Sequence, residues 1–64
     1  MIRTRFGKPV AKVLCGNIDT SHVDIEMEDG TRHETYVWEL RADGGITEIV
    51  NAIAEANTAN EQHR

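Results

Sequence analysis

The residues able to do chemistry are few, and their spacing decides what they can do. Cys15 is the only thiol, and the imidazoles are His22, His33 and His63. A zinc site needs four such donors, usually as closely spaced pairs, and these four are scattered. A nucleophilic Cys15 would need a base and a group to orient that base. Lys12 is near in sequence and His22 can approach from a neighbouring strand, but nothing orients either one. A lone strand cysteine reads better as a small hydrophobe. Asp24, Glu26 and Glu28 alternate along one strand, but paired-carboxylate catalysis needs a cleft with separated proton affinities. A row of this kind reads as a solvated face. Gly44-Gly45 precedes a helical pattern, where anions are attracted. The stretch lacks the Lys and Ser/Thr of a phosphate loop, and Asp43 would repel the ligand. No catalytic residue, metal or cofactor is therefore expected.

The elements that must position these groups follow from periodicity. Val23, Ile25 and Met27 alternate with His22, Asp24, Glu26 and Glu28, the mark of a half-buried strand. Asp29-Gly30 signals a hairpin, and Thr31–Leu40 reads as its second strand. A two-residue turn would pair Glu28 with Thr31, Glu26 with His33 and Val23 with Tyr36. That register places Val23, Ile25, Met27, Tyr36, Trp38 and Leu40 on one apolar face, so Tyr36 and Trp38 are expected in the core. It also sets Glu26 against His33, which would favour the charged imidazole. An earlier strand is expected over Pro9–Cys15, although its alternation is poor, and a short one over Arg3–Phe6. Ile46, Ile49, Val50 and Ile53 stand at i, i+3, i+4 and i+7 and predict a C-terminal helix.

The expected fold is α+β: a three- to four-stranded antiparallel β-meander, in an SH3-like variant, packed by one C-terminal helix in the order β-β-β-α. With 64 residues there is room for a single domain, placed at 1–58 with a frayed tail at 59–64. One cysteine excludes an internal disulfide, and no apolar run approaches the roughly 20 residues of a membrane-spanning helix. Met1–Arg5 lacks the apolar stretch of a signal peptide, so a cytoplasmic protein of bacterial or phage type is expected, with no membrane partner. A core this small supplies little stability, which makes a homodimer attractive.

The net charge of −4 is unevenly spread: residues 1–18 carry +4 and residues 19–64 carry −8. The expected function is a non-catalytic protein-interaction module that docks a basic partner through an acidic sheet face. Asp24, Glu26, Glu28, His33 and Thr35 are the candidate partner-binding residues. In size and charge the chain resembles small acidic phage-encoded inhibitors, including anti-CRISPR-like ones. That resemblance implies imitation of a nucleic acid's charge. The first alternative is nucleic-acid binding by the basic segment, through Arg3, Arg5, Lys8 and Lys12. The second is an enzyme subunit whose site is completed by oligomerisation.

Overall fold

A computed structural model describes residues 1–62. Five strands and one helix follow in order: β1 (Ile2–Thr4), β2 (Val10–Asn17), β3 (His22–Met27), β4 (Arg32–Tyr36), a 3-10 turn at Val37–Glu39, β5 (Leu40–Ala42) and α1 (Gly45–Gln62). The strands form two antiparallel sheets, β2-β3-β4 and β1-β5, joined by a bridge between Arg3 and Pro9. The α+β arrangement is the expected one. Strand β5, where the chain was expected to leave the sheet, brings the count to five. The first strand pairs with the last, Ile2 opposite Ala42 and Thr4 opposite Leu40.

The poor alternation of β2 has a structural cause. Its register shifts between Val10 and Lys12 and again between Val13 and Cys15, so Ala11 and Leu14 are extra residues at bulges. Val10, Val13 and Gly16 consequently pair with Met27, Ile25 and Val23, while Lys12, Cys15 and Asn17 pair with Glu26, Asp24 and His22. An apolar spacing of three on one strand is thereby matched to a spacing of two on its neighbour.

The hairpin register differs from the expected one by a single residue. Met27 N–H donates to Thr31 O at 2.8 Å, and Gly30 N–H donates to Met27 O at 2.9 Å. The loop is therefore three residues long, Glu28-Asp29-Gly30. Gly30 sits at φ 87°, as a turn followed by a bulge demands. Asp29 Oδ1 accepts from Thr31 N–H at 3.0 Å and from Thr31 Oγ1–H at 2.6 Å, which braces this longer loop. Val23 now faces Thr35, Ile25 faces His33 and Glu26 faces Arg32. The odd-numbered residues of β4 turn inward and the even-numbered ones outward, so the expected Glu26–His33 pair does not form.

The same shift removes two residues from the expected core. Tyr36 and Trp38 are 40% and 58% exposed, and Val37 is buried in their stead. The 3-10 turn then resets the phase, so that Leu40 is buried as well. The core comprises Val10, Val23, Ile25, Val37, Leu40, Ile49 and Ile53.

Helix α1 packs against β2 and β5. Its buried stripe centres on Ile49 and Ile53, whereas Ile46 is exposed. The approach to β2 is close at Gly16, where a Cβ would lie 3.0 Å from Ile53 Cγ2 and 3.0 Å from His22 O. Asn57 completes the contact. Its Oδ1 accepts from Gly16 N–H at 3.1 Å and its Nδ2 donates to Gly16 O at 2.8 Å. One side-chain amide thus satisfies both peptide groups of an edge-strand residue, as a neighbouring strand would. At the other end of α1, Glu48 Oε1 accepts from Gly44 N–H at 2.8 Å. The helix runs to Gln62, through the first part of the segment expected as a tail; His63 and Arg64 lie outside the described residues.

Candidate functional site

The outer face of the three-stranded sheet is laid out in rows by the strand register. One row holds Asn17, His22 and Tyr36; the next Cys15, Asp24 and Glu34; the third Lys12, Glu26 and Arg32. The rings of His22 and Tyr36 lie 5.0 Å apart. Tyr36 and Trp38 stack at 5.1 Å with only 11° between their planes. This aromatic ladder is exposed beside the second row, where Asp24 stands directly opposite Glu34. Like charges in that position repel. In the third row Lys12 and Arg32 flank Glu26, so charge alternates there. Acidity is concentrated at Asp24 and Glu34.

The expected partner-binding residues do not share one face. Asp24 and Glu26 lie on the outer face, and Glu28 lies in the hairpin loop. His33 and Thr35 turn to the opposite side of the sheet, where they line an open groove of about 310 Å³ with Phe6, Lys8, Ile25 and Met27, and Glu34 between them borders the same groove. His33 Nε2 lies 3.2 Å from Thr31 Oγ1. The cause is the three-residue loop, which exchanges the two sides of β4. Glu34, Tyr36 and Trp38 were missed for the same reason. The signal that locates them is the Glu28-Asp29-Gly30 triplet read as a three-residue loop.

The basic segment is dispersed. Arg3 pairs with Asp43 at 2.6 Å and Arg5 with Glu39 at 3.2 Å. Arg5 also lies over the Phe6 ring, 4.8 Å from its centre. Lys8 borders the groove, whereas Lys12 stands on the outer sheet face opposite Glu26. The four cations do not form one stripe.

Cys15 Sγ–H donates to Asp24 Oδ2 at 3.1 Å. That bond, together with desolvation and the negative charges of Asp24 and Glu34, pushes the thiol pKa up. A raised pKa holds Cys15 in the weakly nucleophilic thiol form. At the start of α1, Glu48 receives the Met1 ammonium at 3.0 Å as well as the Gly44 N–H, and both hold its carboxyl below the usual range. A carboxylate therefore already occupies the place where an anion would bind. Among the described residues, no three His, Cys, Asp or Glu side chains gather in a metal-holding arrangement. No described helix is long and apolar enough to cross a membrane. No family model, curated protein or solved structure matches the chain.

Proposed function

We propose that this chain is a small non-catalytic protein-interaction module of bacterial or phage type that docks a basic partner on the outer face of its three-stranded sheet. The observation that carries this reading is the exposed His22–Tyr36–Trp38 ladder set against the opposed Asp24–Glu34 pair. Two carboxylates held side by side favour a guanidinium or ammonium between them. Neighbouring ring faces add cation–π attraction, and Tyr and Trp are the side chains that most often dominate binding energy at interfaces. Such a surface suits an arginine- or lysine-rich patch of a protein that itself binds nucleic acid. Occupying that patch would inhibit the partner.

Trp38 is the single tryptophan and reports on the site directly. Titration with an arginine-rich peptide is expected to change its emission saturably, and a glutamate-rich peptide of equal length is expected to leave it unchanged. Asp24→Lys and Tyr36→Ala should each weaken the arginine-peptide response. No saturable change, or equal binding by Asp24→Lys, refutes the proposal.

A further inference from the structure

Strand β4 is an edge of its sheet: β3 covers one side, and no described strand pairs with the other. The hairpin bonds show which of its peptide groups face outward. Met27 N–H donates to Thr31 O, and at the far end Val37 N–H donates to Ser21 O, both at 2.8 Å. Antiparallel strands alternate residues bonded to the neighbour with residues bonded away from it. Thr31, His33, Thr35 and Val37 therefore bond toward β3. Arg32, Glu34 and Tyr36 present their N–H and C=O groups at the open edge, and all three residues are exposed.

The side chains at that edge are self-complementary in one register only. A second copy of β4 pairing about a two-fold axis must set outward-bonding residues opposite one another. Centring the axis on Glu34 places two glutamates face to face, and centring it on Arg32 does the same for two arginines. Centring it on Thr35 sets Glu34 against Tyr36 with no ion pair. Centring it on His33 sets Arg32 against Glu34 of the second copy, and Glu34 against its Arg32. This register also supplies a cation to the Asp24–Glu34 row, which holds none of its own. Opposite charges directly across a ladder stabilise the pairing, and like charges oppose it.

We infer that two copies of this chain associate by antiparallel pairing of β4 about His33, joining their three-stranded sheets into one of six strands. The outer faces then become continuous, and the His22–Tyr36–Trp38 ladders stay uncovered by the pairing itself. The inference shares Glu34 with the docking proposal, since Arg32 of the second copy would take the place of the partner's cation beside it, but its test needs no other protein, so the two readings fail separately.

Sedimentation equilibrium from micromolar to millimolar chain concentration at low salt tests it. Self-association is expected, and amide NMR signals of Arg32, Glu34 and Tyr36 should move on dilution. Arg32→Glu or Glu34→Arg should each raise the dissociation constant about tenfold or more, and the double exchange should restore it. Glu34→Pro removes an outward N–H that the monomer does not use, so it should abolish association while the monomer stays folded. A monomer at every concentration overturns the inference. So does a dimer indifferent to the single exchanges and to Glu34→Pro, or a double exchange that fails to restore association.

Discussion

Asn57→Ala offers the sharpest test of how helix and sheet are held together. Asn57 makes two hydrogen bonds to Gly16, at 3.1 and 2.8 Å, in a part-buried setting. A hydrogen bond contributes about 0.5–1.5 kcal/mol net, so losing both costs about 1–3 kcal/mol. Alanine returns about 0.6 kcal/mol through its better helix propensity, which leaves a net loss of about 0.4–2.4 kcal/mol. For a domain of this size 1 kcal/mol moves the melting temperature by about 4–8 °C, so Tm should fall by roughly 2–19 °C. The assay is thermal unfolding followed by circular dichroism. Hydrogen exchange at the Gly16 amide should accelerate beyond what the global loss explains, since that N–H loses its acceptor. Asn57→Asp keeps an acceptor for the N–H but offers no donor to the carbonyl, and should be destabilised too. An unchanged or raised Tm for Asn57→Ala would show that the amide contributes nothing to the joint, and would refute the reasoning.

Asp24→Asn should make Cys15 react faster with iodoacetamide near neutral pH, because it removes the charged acceptor that raises the thiol pKa; an unaltered rate counts against the contact. Asp29 should titrate below the ordinary aspartate range, chiefly through the Thr31 hydroxyl and then the Thr31 N–H. Because the folded pKa is depressed, its contribution to hairpin stability is present above the unfolded pKa and is lost as pH falls through the folded one. In an NMR titration, Thr31→Val should raise the Asp29 midpoint, and a midpoint in the parent chain at or above the ordinary value contradicts the bond.

Strand β3 and helix α1 were legible in the sequence because each carries a full period of its own. Val23 and Ile25 bury as alternation requires, and Ile49 and Ile53 bury as helical spacing requires. The bulges of β2 were visible only as a defect in alternation. Their meaning depends on β3, since an extra residue is defined only against the strand it pairs with. Asp29-Gly30 marked the hairpin but not its length. A loop of two or three residues suits that dipeptide equally well, and the choice reverses both sides of β4. Burying Tyr36 and Trp38 looked favourable from strand periodicity alone. The fold instead places Val37 inward and leaves Tyr36 outside, stacked on Trp38 and tilted against His22.

Composition and pattern by themselves determined the α+β class, the hairpin at Asp29-Gly30, the C-terminal helix and the uneven charge. The tertiary structure alone decided which charges share a face. It separated His33 and Thr35 from Asp24, brought Glu34 opposite Asp24, and engaged Arg3 and Arg5 with Asp43 and Glu39. Side chains on a strand have a period of two, so one added loop residue moves a whole row to the other side of the sheet. Local sequence sets the propensity to turn. The register is chosen by the sum of contacts along both strands and the core beneath them.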